Sequence, residues 1–289
     1  MTAGAGRYRG RFAPSPTGPL HLGSLVSAVA SFLDARAEGG RWLLRIEDID
    51  PPREEPGAAE AIATSLRRHD LHWDGAASYQ SRHRSAYERA LTVLGERGLL
   101  LRCYCSRREL GPDGSCRGRC GGHGSGPSAL RVRVDPGWTR AWEDRFQGPQ
   151  RAQALPEDFV VRRRDGLYAY QLAVVVDDYE QGISDVVRGA DLLTVTPRQH
   201  YLQAMLGYPS PRYAHCPLLL GPDGRKLSKQ NRAAALEDTE APANLRRVLT
   251  MLQQPAPPAS ADTPAAILAH AIRHWAPEAL RGQTAVASD

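Results

Sequence analysis

Three groups of side chains in this 289-residue chain have the types and spacing to do chemistry. The first is a cysteine cluster, Cys103-x-Cys105, ten residues, then Cys116-x₃-Cys120, with Cys216 standing apart. Four thiolates on two short loops suit tetrahedral Zn²⁺ at Zn–S near ~2.3 Å, with no position open to water, which makes such a site structural. His123 is a possible substitute ligand, and free buried thiols are the plain alternative. The second group is a lysine pair. Of 37 basic residues only Lys226 and Lys229 are lysine, and both fall in the turn Gly221-Pro222-Asp223-Gly224-Arg225-Lys226-Leu227-Ser228-Lys229-Gln230. Two compact, flexible ammonium groups at i and i+3 can follow charge that builds on phosphates during transfer. A solvated basic turn is the plain alternative, and the arginine excess reads as a compositional preference. The third group is the turn Arg11-Phe12-Ala13-Pro14-Ser15-Pro16-Thr17-Gly18-Pro19-Leu20-His21-Leu22-Gly23-Ser24. A helix that starts there presents free N–H groups and a positive dipole end to an anion. Gly18 and Gly23 let a phosphate approach the backbone, and His21 can donate to a phosphate oxygen or merely cap the helix.

The elements that must position these groups follow from pattern. Tyr8 to Ala13 reads as a strand, His21 to Ala37 as a helix with Leu25, Val26, Val29 and Leu33 inward, and Gly39-Gly40 as its stop. Trp42–Ile46 reads as a strand ending at Glu47-Asp48, followed by helices over Ala58–His69 and Arg82–Arg97. This β–turn–α–β order opens an α/β, doubly wound Rossmann-type domain. Cys103–Gly126 has little periodicity and reads as an insertion held by something other than a core. Strands are expected at Leu130–Val134 and Phe159–Arg163. Gln171–Val176 reads as a buried parallel strand delivering Asp177 and Asp178 to an active edge, to hold substrate or to cap a turn. A helix over Val195–Leu206 and a strand over Pro217–Leu220 precede the lysine turn. A helix, a linker from Pro255 to Pro264, a helix to about Leu280 and a frayed tail complete the chain.

The Pro-Ser-Pro-Thr-Gly-x-Leu-His-Leu-Gly turn and Lys226-Leu227-Ser228-Lys229 resemble the two signatures of class I aminoacyl-tRNA synthetases, in the glutamyl branch. Arg45-Ile46-Glu47-Asp48, Trp73-Asp74, Gln80-Ser81, Val174–Asp178 and Val187-Arg188-Gly189-Ala190-Asp191 agree with it. The resemblance covers roughly residues 8 to 245. Brevity and the cysteine cluster make the chain most like the glutamyl-queuosine tRNA(Asp) synthetases, which join glutamate to the queuosine base of that tRNA. The resemblance implies roles. Arg11 and Arg188 hold substrate carboxylate, Glu47 receives the ammonium, and Ser15 and Tyr170 complete the glutamate pocket. Pro14, Gly18, His21, Gly23, Ser24 and Lys229 bind ATP, with His21, Lys226 and Lys229 catalytic. Two departures are visible: Ser24 replaces the second histidine of the usual tetrapeptide, and Cys116 stands where a zinc ligand is often tyrosine.

The implied organisation is a Rossmann catalytic domain split into residues 1–98 and 168–240, a zinc-containing, acceptor-binding-like insertion at 99–167, and a C-terminal helical region at 241–289. One structural Zn²⁺ per chain and Mg²⁺ accompanying ATP are expected, with L-glutamate, ATP and queuosine-containing tRNA(Asp) as partners. Alternatives are a truncated glutamyl-tRNA synthetase charging a 3′ end, a ligase with a small-molecule or protein acceptor, and a non-catalytic RNA-binding paralogue. The net charge of +5 suits a polyanionic partner. No apolar run approaches the ~18–20 residues that cross a bilayer, and no secretory signal is evident, so a cytoplasmic monomer is expected.

Overall fold

The computed structural model describes residues 8–121, 123–221 and 235–287. β1 (Arg9–Phe12) leads through the proline-rich turn into α1 (Leu22–Ala37), where Leu25, Val26, Val29 and Leu33 are all buried. Gly39 ends α1 by taking the left-handed conformation at φ +61°, and Gly40 lets the chain pass close to the first strand, since a Cβ there would lie 2.6 Å from the Tyr8 carbonyl oxygen. The chain therefore turns tightly into β2 (Arg41–Ile46), parallel to β1 with Phe12 opposite Leu44. Trp42 anchors this pair, stacked on Phe12 and edge-on to Phe32. α2 (Ala58–Arg68) leads to β3 (Ser78–Tyr79), parallel to β2, and then to α3 (Arg84–Glu96).

The next strands divide between two sheets. β4 (Leu100–Cys103) and β5 (Ala129–Arg133) pair antiparallel, and β6 (Trp142–Asp144) and β7 (Gly148–Gln150) form a hairpin. β8 (Asp158–Arg162) joins β5, so the cysteine-bearing stretch rests on its own small antiparallel sheet. Its loops are pinned by a buried carboxylate in place of a core. Asp158 accepts the backbone N–H groups of Cys116 at 2.9 Å and Arg117 at 2.8 Å, and pairs with the buried Arg131.

The strand expected at Gln171–Val176 is instead the middle of α4 (Tyr170–Glu180). Leu172 to Val176 are all buried, so the run shows no polar face, and a short apolar run does not distinguish a buried helix from a strand. β9 (Asp185–Gly189), α5 (Thr196–Leu206), β10 (Arg212–Cys216) and β11 (Leu218–Leu220) follow. α5 starts one residue later than expected, after a 3₁₀ segment over Ala190–Val195. β9 and β6 flank β10 in parallel. β1 and β9 lie edge to edge, Ser184 N–H donating to the Arg9 carbonyl at 3.0 Å. Strand order runs outward from this seam as β1-β2-β3 on one side and β9-β10-β6 on the other. The reversal is a topological switch point, where a crevice forms at the carboxyl ends of the strands.

α6 (Ala241–Met251) and α7 (Pro264–Arg273) pack on α1. The final helix stops at Arg273 and not near Leu280, because Pro277 disfavours helix at Ala276 and opens a separate 3₁₀ turn. The tail expected to fray is β12 (Ala285–Ala287), parallel to β11. Among the described residues no helix is long and apolar enough to cross a membrane.

Candidate active site

At the switch point a cleft of about 580 Å³ is enclosed by the ends of β1 and β9, the proline-rich turn, the first turn of α1, Tyr170 and the Pro217–Leu219 segment. Arg11, Pro14, Ser15, His21, Gly23, Ser24, Glu47, Tyr170 and Arg188 all line it. Gly18 does not. It sits in the turn at φ +125°, where a Cβ would meet the Glu55 carboxylate at 3.2 Å, so it shapes the turn. Lys226 and Lys229 lie outside the described residues. The chain enters their segment from β11, whose Leu218 and Leu219 line the cleft, and leaves it at Ala235, in a β-bridge with His21.

The charges match an amino acid with two carboxylates. Arg11 and Arg188 are buried cations at the ends of β1 and β9, and Glu47 is a buried carboxyl at the end of β2. Glu47 is placed by its backbone N–H, which donates to Pro14 O at 3.0 Å. Burial raises its carboxyl to about 7, against the pull of Arg45 and Arg11. Its Oε1 is turned inward, 3.6 Å from Arg45 Nη2, while the residue lines the cleft, where its carboxyl offers an acceptor to an ammonium group. Arg188 Nη1 lies 3.4 Å from the Tyr170 hydroxyl, joining α4 to this constellation.

His21 caps the helix and also faces the cleft. As N-cap of α1 its Nδ1 accepts the Ser24 N–H at 3.3 Å, so Nε2 carries the proton, 3.0 Å from Ser24 Oγ. Its ring also lines the cleft beside the N-terminus of α1, where an anion is favoured. Asp177 and Asp178 do not reach the cleft as ligands. Asp178 takes Arg11 Nε at 3.2 Å and Arg45 Nη1 at 2.8 Å, while Asp177 takes Gln80, His83 and Tyr87. They are buried supports under the pocket residues, neither holding substrate nor capping a turn. Sequence patterning alone gives Arg45 and His215 no role. The available signal was a charged or polar side chain inside a buried strand, which must be paired.

A second cavity of about 830 Å³ opens beside the cleft and shares Ser15, Glu47, Arg53 and Tyr170 with it. Its wall includes Arg107, Arg163 and Arg164 and reaches Cys103 and Cys105. The Sγ atoms of Cys103, Cys105, Cys116 and Cys120 lie within 4.8 Å of one another, with Cys105–Cys116 and Cys116–Cys120 at 3.5 Å. Sulfurs around a tetrahedral zinc stand about 3.8 Å apart, so four soft donors at this spacing fit that ion. His123 is not in the group.

Fold and cleft together define a class I synthetase catalytic domain. The profile of the class I tRNA synthetase (E and Q) catalytic domain matches residues 7–113 and 118–250. The chain belongs to the glutamyl-Q tRNA(Asp) synthetase family. A glutamyl-Q tRNA(Asp) synthetase of Pseudomonas putida (strain W619) is 51% identical over 286 residues, covering 97% of each chain. One of Pseudomonas aeruginosa (strain PAO1) is 52% identical over 274 residues, covering 93% of each. A glutamate tRNA ligase from Elizabethkingia meningosepticum, solved with its amino acid, shares the fold with TM-score 0.80 at 24% identity. That alignment covers 96% of this chain and 66% of that one.

Proposed function

We propose that the chain activates L-glutamate with ATP and transfers it to the queuosine base in the anticodon of tRNA(Asp). The observation that carries this is the convergence of Arg11, Glu47 and Arg188 with His21 and the α1 N-terminus in one cleft. Both guanidiniums can donate to a substrate carboxylate, Arg188 through Nη1, and Glu47 takes the ammonium. The α-carboxylate of glutamate attacks the α-phosphorus of ATP, forming the acyl phosphate bond of glutamyl-adenylate as pyrophosphate leaves. An acceptor hydroxyl then attacks the acyl carbon, gives up its proton and releases AMP. Catalysis here is positioning plus stabilisation of phosphate charge by His21 Nε2–H, the helix N-terminus and, by resemblance, Lys226 and Lys229. Mg²⁺ accompanies ATP in this reading, as the triphosphate charge requires.

The second cavity is the place for the acceptor. It adjoins the glutamate residues, and the exposed Arg53, Arg107 and Arg164 suit the phosphates of a nucleic acid, which position it without reading sequence. The four cysteines would hold one structural Zn²⁺ and so stiffen a wall of this cavity. Transfer of labelled glutamate to purified tRNA(Asp) with and without queuosine tests the reading. Label should appear only with the modified tRNA and on the anticodon nucleotide. Label on a 3′ adenosine would establish the alternative, an enzyme that charges tRNA.

A further inference from the structure

Asp144, His215 and Arg188 stand on three neighbouring parallel strands, β6, β10 and β9, and all are buried. Asp144 Oδ1 accepts the backbone N–H groups of Phe146 at 3.0 Å, Gln147 at 2.8 Å and His215 at 3.1 Å. Its Oδ2 lies 2.5 Å from His215 Nδ1. Across the ring, His215 Nε2 lies 3.0 Å from Arg188 Nε. An arginine N–H can only donate, so Nε2 accepts and the ring proton sits on Nδ1, donated to Asp144. Burial lowers the His215 imidazole to about 4, against the pull of Asp144, which keeps it neutral and able to accept. Thr196 Oγ1 donates its one proton to Leu192 O at 2.8 Å and so accepts from Arg188 Nη2, also at 2.8 Å. The Tyr213 ring lies 5.0 Å from Arg188 Cζ. The Nε–Nη2 edge of Arg188 is thus committed to the protein, and Nη1 is left beside Tyr170 in the cleft.

We propose that Asp144 and His215 are positioning residues for glutamate recognition: Asp144 fixes the His215 tautomer, and His215 holds the Arg188 fork at the angle a substrate carboxylate needs. The assignment rests on the glutamate-binding role given to Arg188 above. It makes a demand that a merely space-filling network would not. In Asp144→Asn the three backbone N–H groups keep the amide oxygen where Oδ1 was. The amide NH₂ then meets Nδ1, drives the ring proton to Nε2 and sets it against Arg188 Nε–H.

The test combines glutamate-dependent ATP–pyrophosphate exchange with nitrogen NMR of the histidine rings, on wild type, Asp144→Asn, His215→Gln and His215→Phe. Asp144→Asn and His215→Phe should raise KM for glutamate about tenfold or more, the worth of a lost hydrogen bond to a charged group, without moving KM for ATP. His215→Gln can still accept from Arg188 and donate to Asp144, and should stay within about threefold of wild type. The ring signal absent from His215→Gln should report Nδ1–H in wild type and Nε2–H in Asp144→Asn. If Asp144→Asn does not fold, His215→Phe supplies the kinetic readout. An Nε2-protonated His215 in wild type, an unchanged glutamate KM, or equal changes for glutamate and ATP would overturn the proposal. Absence of glutamate-dependent exchange in wild type would instead overturn the proposed function, and the NMR measurement would still decide the tautomer.

Discussion

Arg45 Nη1 donates to Asp178 Oδ1 at 2.8 Å, and neither side chain meets solvent appreciably. The same oxygen takes Arg11 Nε at 3.2 Å, so one carboxylate on α4 fastens the two strands that carry Arg11 and lead to Glu47. Removing it leaves two buried guanidiniums short of an anion. Asp178→Ala should cost about 3–5 kcal/mol of stability, read as a shift in denaturant midpoint. Burial alone would raise the Asp178 carboxyl, but Arg11 and Arg45 hold it below the usual range. A depressed native value gives stability that is present at neutral pH and lost as pH falls below about 4. Asp178→Asn should flatten that acid limb; an unchanged limb would assign it to other carboxylates.

Glu47 has the opposite shift. Burial raises it to about 7, so near neutrality much of it is protonated and offers no charge to an ammonium group. KM for glutamate should therefore fall as pH rises from about 6 to about 8. Glu47→Gln should bind glutamate more weakly and lose the step, which exchange kinetics across that range would reveal. A flat wild-type profile would count against Glu47 as the ammonium site.

Metal analysis of the purified protein should find about one zinc per chain, and Cys105→Ser or Cys116→Ser should lose it. Because Cys103 and Cys105 also wall the second cavity, loss of zinc should weaken tRNA use more than tRNA-free exchange. Protein without zinc but with full melting temperature would remove the metal from the account.

Lys229→Arg should lower the exchange rate about 10²-fold, the scale of losing one group matched to transition-state charge, while KM for glutamate stays near wild type. Arg188→Lys should do the reverse, raising KM for glutamate through loss of the planar fork. Equal behaviour of the two variants would show that the assigned division of labour is wrong.

The C-terminal strand predicts a coupling at a distance. Leu218 N–H donates to Thr284 O at 2.9 Å and β11 pairs with β12, so residues near the chain end brace a wall of the cleft. Ending the chain after Arg281 should lower the melting temperature and raise KM for ATP. An unaltered ATP response would show that β12 only decorates the sheet.

The sequence by itself carried the parts of this protein written in local chemistry. A proline-rich turn between strand and helix, four cysteines within eighteen residues and two lysines in one loop are legible because turn geometry, metal affinity and charge depend on near neighbours. Periodicity likewise marked α1 and β2. It failed at α4, whose middle is apolar on every side because helices and sheet surround it. It failed at β12, whose order comes from pairing with a strand some sixty-five residues earlier. The sequence also could not give Asp177 and Asp178 their work, nor link Asp144, His215 and Arg188 across three strands. Those links are hydrogen bonds between residues far apart in the chain, and only the order of strands in the sheet decides which buried charges meet.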